Sequence, residues 1–263
     1  MATPNVLILR APGTNCDIET AHAFELAGAK AERVHINRLL ETPDLAEKFQ
    51  ILCIPGGFSY GDDVAAGRVL ACQIQHHLDE SLRKFRDDGK LVLGICNGFQ
   101  VLIKSGLLFE ADEQGMPATL TWNNTDRFED RWAQLAVDGT KSVFMQGIES
   151  MYLPVAHAEG KFVARDEATL ARLADAGQLA LRYAPLHGET PADLDAPLTF
   201  PDNPNGSDRN VAGACDSTGR VLGLMPHPER HIQRTHHPRW TRGEGSEKGE
   251  GLLMFENAVG YFS

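Results

Sequence analysis

The sequence predicts an α/β protein in three layers: an open, mostly parallel sheet with helices on both faces. Three observations carry this. Short apolar runs alternate with helical patterns through residue 106; two of those runs stop at Pro-Gly; and a third, Leu91-Val-Leu-Gly-Ile95, feeds Gly-x-Cys-x-Gly and then a new helix. With 263 residues, 42% of them hydrophobic, the chain can bury one good core, and a single domain over 1–263 is expected.

The elements follow in order. Val6-Leu-Ile-Leu9 is an apolar run ending in Pro12-Gly13, after which Asn15 is placed to cap a helix with Asp17 and Glu19 in its first turn. Residues 33–36 alternate weakly as a second strand, and Ile51-Leu-Cys-Ile54 is a buried-type third strand stopped by Pro55-Gly56-Gly57. Leu70, Ile74, Leu78, Leu82 and Phe85 fall on one face of a single long helix ending at Gly89, with His76 and His77 exposed beside the stripe. The fourth strand, 91–95, delivers Cys96, and the helix after it reads Phe99, Leu102, Ile103 and stops at Gly106. Beyond residue 118 shorter alternating segments, 142–146 and 152–156, suggest an antiparallel extension. Residues 184–208 read as a long loop, 221–225 as the last strand, 236–251 as a mobile charged surface loop and 252–261 as a closing helix.

Composition narrows the function. A formal net charge of −11 disfavours nucleic-acid phosphate as the main partner. Five cysteines without paired spacing form neither a disulfide framework nor a zinc motif, so a reducing cytoplasm is expected. No apolar run approaches the roughly 18 residues of a membrane span, and residues 1–5 lack the charged-then-apolar pattern of an export signal.

In a parallel sheet, function gathers at the carboxyl ends of the strands, here Pro12-Gly13, Pro55-Gly56-Gly57 and Cys96 along one rim. Lys90-Leu-Val-Leu-Gly-Ile-Cys96-Asn-Gly-Phe-Gln100 has the form of a nucleophile elbow, in which Gly94 and Gly98 let strand and helix pack closely beneath the sulfur. A helix N-terminus at that point favours an anion. A strand cysteine is otherwise a small buried hydrophobe, so the elbow needs a partner base. Val221-Leu-Gly-Leu-Met-Pro-His227-Pro-Glu229 offers one: a histidine held between prolines at a strand end, with Glu229 two residues on and, in extended chain, on the same side. A tetrahedral intermediate on Cys96 requires backbone donors rather than a metal; Asn97 N–H follows the nucleophile directly, and Gly57 can bring a second amide close.

Gly-Ile-Cys96-Asn-Gly-Phe-Gln100 joined to Pro-His227-Pro-Glu229 resembles the class I (triad) glutamine amidotransferases, whose fold is flavodoxin-like. Ala11-Pro-Gly-Thr-Asn-Cys16-Asp, Pro55-Gly-Gly-Phe-Ser-Tyr-Gly-Asp62-Asp63, Asn203-Pro-Asn-Gly-Ser207 and Gly223-Leu-Met-Pro-His-Pro-Glu-Arg230 are similar to the glutaminase-subunit family of phosphoribosylformylglycinamidine synthase, over nearly the whole chain. That resemblance implies a γ-glutamyl thioester on Cys96, with His227 as acid and base and Glu229 orienting it. It implies glutamine contacts from Gln100 and from the segment holding Asn123, Arg127 and Phe128. It also implies a large synthetase subunit and a small bridging subunit as partners, with ATP and Mg in the synthetase and no cofactor in this chain, which carries no Gly-x-x-x-x-Gly-Lys-Ser/Thr loop.

The chain departs from the family pattern at Phe109-Glu110, at Ala158 after His157, and in a long 184–202 stretch. Loops 58–63 and 203–209 are expected to meet the partner. Cys16, Cys53, Cys72 and Cys215 are read as packing or near-site residues without chemistry. The competing readings are a stand-alone α/β cysteine hydrolase acting on γ-glutamyl amides and a non-catalytic scaffold that keeps the fold.

Overall fold

A computed structural model describes residues 3–139, 141–187 and 191–262. Met1 and Ala2 of the N-terminal reading, and 188–190 of the long loop, lie outside them. Among the described residues a nine-stranded sheet forms from β1 (Asn5–Arg10), β2 (Lys30–His35), β3 (Ile51–Ile54), β4 (Leu91–Ile95), β6 (Glu129–Val137), β7 (Ser150–His157), β9 (Leu181–Ala184), β10 (Val211–Cys215) and β11 (Val221–Leu224). The strand order is β2-β1-β3-β4-β11-β10-β9-β6-β7. The first five are mutually parallel, and the rest continue the same sheet antiparallel. A separate antiparallel pair joins β5 (Ala118–Thr121) to β8 (Lys161–Ala164).

The central strands β1, β3 and β4 carry apolar runs because both faces are covered, whereas the edge strand β2 is mostly polar. On the helical layers, α1 (Asp17–Leu26) packs on α7 (Leu252–Gly260) through an edge-on Phe24–Phe255 pair at 4.9 Å, while α3 (Arg68–His77) packs on α5 (Asn97–Ser105). Short helices α2 (Ile36–Glu41) and α6 (Glu167–Asp175) complete the connections.

Four local expectations change. The cap of α1 is Cys16, not Asn15, and no side chain bonds its first amides. The long helix is two, α3 and α4 (Asp79–Asp87), broken at Leu78, whose φ of −127° and ψ of 2° leave the helical region. The apolar stripe continues across the break, but Asp79 and Glu80 suit a new helix N-terminus, where acidic charge is stabilised. His76 and His77 are exposed, as expected. Residues 142–146 form a 3-10 turn (Val143–Met145) rather than a strand. The antiparallel strands are more numerous than the sequence suggests, because β6 opens with Glu-Asp-Arg and β9 carries a buried arginine.

That arginine organises the long loop. Arg182 is fully buried; its guanidinium meets Asp138 and Asp195 at 2.8 Å each, and it donates to the carbonyls of Leu179 and Arg209. Asp195 also takes Arg209 at 2.9 Å, so the 191–210 segment is bolted to the sheet. The 236–251 segment is mostly exposed, yet His237 is buried against Tyr152 and His231.

Replacing Arg182 with Ala empties buried volume and strands two carbonyls, whereas the half-exposed carboxylates regain water. The expected loss is about 2–4 kcal/mol in urea unfolding, and a loss under about 1 kcal/mol would show that the loop is held some other way.

Candidate active site

The elbow is formed by the backbone of Cys96, which has φ 50° and ψ −105°, a conformation that L residues rarely adopt. Its N–H donates to Leu224 O at 2.7 Å, tying the turn to β11, and its carbonyl accepts from Phe99 and Gln100 in the first turn of α5. Gly98 is required here: a methyl group on it would lie 1.8 Å from Ile54 O. One on Gly94 would lie 2.6 Å from Leu102 Cδ1 and 2.7 Å from Gly98 O. The two glycines thus do what the sequence pattern assigns them. The Asn97 amide is the first of α5, a position that helix geometry leaves without an internal partner.

On the neighbouring strand, Leu224 pairs with Ile95, so the chain after β11 runs past the elbow. His227 N–H donates to Pro154 O at 2.9 Å, and its ring Nδ1 lies 2.6 Å from Glu229 Oε1, with both side chains buried. A carboxylate only accepts, so Nδ1 carries the hydrogen and Nε2 is left toward the sulfur side. The contact arises differently from the expectation: residues 228–230 form a 3-10 turn rather than extended chain. Burial opposes charge on His227, but the negative charge of Glu229 and that of Cys96 outweigh it and hold the imidazole well above the ordinary histidine range. Neither Nε2 of His227 nor Oε2 of Glu229 has a formed hydrogen bond.

Cys96 opens into a cavity of roughly 270 Å³ whose walls include Gly57, Asp62, Gln100, Trp122 and the 156–159 segment. A cleft of similar size between residues 43–47 and 77–90 is lined by no cysteine. In the cavity, Asn97 Nδ2 donates to Asp62 at 3.0 Å and to Gln100 Oε1 at 2.9 Å, and Gln100 Nε2 donates to Glu159 O at 2.6 Å. Gln100 is therefore in the wall. Gly57 also lines it, at φ 135°, with so little room that a methyl group would lie 2.7 Å from Asn15 N. Asn123 sits behind the wall rather than in it, donating to Arg127 O and His157 O and accepting from Gly160 N. Arg127 and Phe128 are exposed outside the lining, with the Phe128 ring 6.3 Å from that of Phe58 at the mouth.

A family model of the CobB/CobQ-like glutamine amidotransferase domain matches residues 3–262. The chain belongs to this family. It is 46% identical to the phosphoribosylformylglycinamidine synthase subunit PurQ of Dehalococcoides mccartyi, covering 98% of each chain. It is 39% identical to that of Methanococcus maripaludis C7, over 99% of this chain and 98% of the relative. Among solved structures, PurLQS from Thermotoga maritima matches at 29% identity and a TM-score of 0.74, with both chains fully covered. A putative GMP synthase subunit from Thermoplasma acidophilum, at 14% identity and a TM-score of 0.55, shares the fold, covering 99% of this chain and 94% of that one.

In this amidotransferase several site residues escape sequence reasoning. Glu159 bonds the Ala66 amide and pairs loosely with the largely buried Lys104, and neither lies in a diagnostic motif. Asp62 turns inward to Asn97 instead of outward, and burial raises its pKa. His157 is wholly buried and bonded through Nδ1 to Asn123 Oδ1; burial first, then the positive charge of His227, push its pKa down to about 3. Cys16 lies beside His227: its Sγ, a ring nitrogen of His227 and a Glu229 oxygen fall within 4.8 Å of one another. These three are the one set of donors among the described residues close enough to share a metal ion. The signal for Cys16 was its motif; its nearness to His227 comes from the tertiary fold.

The His157 result fixes a pH dependence. The unfolded chain protonates this histidine near 6.5 while the native state resists until about 3, so it removes stability as pH falls through that window, at up to about 1.4 kcal/mol per unit. Urea titrations should show a shallower acid loss for His157→Gln than for wild type, and identical slopes would refute the assignment. Gly98→Ala should cost about 1–3 kcal/mol through overpacking against Ile54 and sharply slow alkylation of Cys96.

Proposed function

We propose that this chain is the glutaminase subunit of phosphoribosylformylglycinamidine synthase, and that residues 1–263 act as one amidotransferase domain. The observation that carries the reading is the buried His227–Glu229 pair beside a strained elbow cysteine at a cavity. The full-length similarity to chains named PurQ supplies the substrate and pathway.

Cys96 Sγ attacks the side-chain amide carbon of L-glutamine, and the carbonyl oxygen gains negative charge. Asn97 N–H and the Gly57 amide face that oxygen. His227 gives its Nε2 proton to the leaving nitrogen, so ammonia departs and a γ-glutamyl thioester remains. The neutral imidazole then takes a proton from water, whose oxygen attacks the thioester carbon and releases glutamate and the thiolate. Glu229 keeps the imidazole in the tautomer both steps need. Gln100 positions the glutamine headgroup; Arg127 and Phe128 close over it from the rim, and Asn123 sets the wall behind.

Ammonia passes to a large synthetase subunit, which with ATP and Mg converts formylglycinamide ribonucleotide to the amidine in the cytoplasm; a small subunit bridges the two. This chain itself holds no cofactor. The similarity to a structure named PurLQS supports such an assembly. Apolar side chains exposed around the cavity mouth, Phe58, Val64, Trp122 and Phe128, suit that docking better than Asp62, which is engaged with Asn97.

Mixing this chain with purified synthetase and small subunit should give glutamine-dependent amidine synthesis. Cys96→Ala should lower that rate by about 10³ or more while ammonium still supports synthesis within about twofold. Loss of both activities would make Cys96 structural. Rapid turnover of γ-glutamyl amides by the lone chain, with no glutamine-dependent synthesis in the complex, would instead favour the solitary hydrolase.

A further inference from the structure

The mechanism uses one thiol, yet two converge on the same imidazole. Cys16, at the head of α1, and Cys96, at the head of α5, both interact with the His227 ring, whose buried Nε2 has no formed hydrogen bond. Between them stands Gly56. A methyl group there would lie 2.8 Å from His227 Cε1, 3.1 Å from Cys16 Sγ and 3.5 Å from Cys96 Cβ. All three side chains therefore close on one point that glycine leaves empty.

Cys16 is also equipped to react. Arg230 Nη2 lies 3.2 Å from its sulfur, held by Glu19 at 2.8 Å. Burial raises its pKa, and His227 and Arg230 pull against that rise. A thiol that ionises reluctantly needs a base alongside, and the imidazole is there. Cys215, by contrast, is pushed up to about 12 by burial and has no such neighbour among its perturbing groups.

We propose that Cys16 is the resolving thiol for Cys96, the two forming a reversible disulfide across Gly56 when the site meets a hydroperoxide. The Cys96 thiolate attacks the peroxide; the O–O bond breaks, sulfur takes one oxygen as sulfenic acid, and His227 protonates the departing alkoxide or hydroxide. Neutral His227 then accepts the Cys16 proton, and the Cys16 sulfur attacks Cys96 Sγ. The S–O bond breaks and the leaving hydroxide takes the proton back as water. Two thiols have lost two electrons, and the peroxide has gained them. Two equivalents of a small thiol reopen the bond. Without Cys16, the sulfenic acid has no neighbouring thiol and proceeds to sulfinic acid, which thiols do not reduce. A transient bond of this kind is the form that disulfides take in reducing compartments.

The test treats the full-length protein with a small excess of hydrogen peroxide, blocks free thiols with N-ethylmaleimide and maps cysteine peptides by mass spectrometry. The expected map links the Cys16 and Cys96 peptides, and dithiothreitol removes the link. In Cys16→Ser and Cys16→Ala, activity recovered by dithiothreitol, relative to each variant before oxidation, should fall by about fivefold or more as Cys96 sulfinic acid accumulates. Cys96 oxidised while Cys16 stays free, Cys96 left reduced, or variants that recover as fully as wild type would each overturn the proposal. The wild-type map needs neither a variant nor glutamine turnover, so its failure leaves the glutaminase reading standing, and failure of that reading leaves the map interpretable.

Discussion

The positive φ of Cys96 is the constraint on which the site depends. Holding the backbone of a residue other than glycine in that region costs on the order of 1–3 kcal/mol, and the surrounding fold must supply it. It does so from two directions. The Cys96 amide is captured by Leu224 of β11, and the glycine floor at 94 and 98 lets α5 press onto β3 and β4 at distances no side chain would permit. With the turn so held, the sulfur, the first free amide of α5 and the end of β11 arrive together. A relaxed turn would send the helix elsewhere and scatter all three.

Two buried imidazoles in the same neighbourhood show how one hydrogen-bond partner decides the charge of a ring. His227 and His157 are both removed from water, which alone drives each toward neutrality. His227 gives its Nδ1 hydrogen to a carboxylate and is raised; His157 meets the amide oxygen of Asn123 and sinks to about 3. One keeps a transferable proton near neutrality, and the other stays an uncharged wall beside it. The charge on His227 helps keep His157 uncharged, so of the two rings only one carries positive charge.

Local patterns made the central features legible. The elbow is a run of neighbours in the chain, and so is His227 with Glu229, although the turn joining them is 3-10 rather than extended. The central parallel strands β1, β3 and β4 were legible because burial on both faces leaves their middles apolar. What the sequence hid was set at a distance. Arg182 looks like a surface residue until Asp138 and Asp195 surround it, and β6 opens with charges that only its position in the sheet explains. The break at Leu78 escaped because the apolar spacing runs through it unchanged. Glu159 and Cys16 belong to the site through tertiary contacts with Gln100 and His227, which no spacing records.

The register of β4 against β11 has a further consequence. Because Ile95 is paired with Leu224 in a parallel ladder, the separation of Cys96 and His227 is a dimension of the sheet, as stiff as the hydrogen bonds that define it. The remaining walls of the cavity come from other places: Trp122 and the end of β7 with its hairpin to β8. The two sets are nonetheless joined: Pro154 O of β7 holds the His227 N–H, and Glu159 O of the hairpin holds Gln100. An exchange at Trp122 can therefore reshape what enters while leaving this ladder untouched, whereas a change at the end of β7 also moves the imidazole, so the entrance is free to vary on one side only.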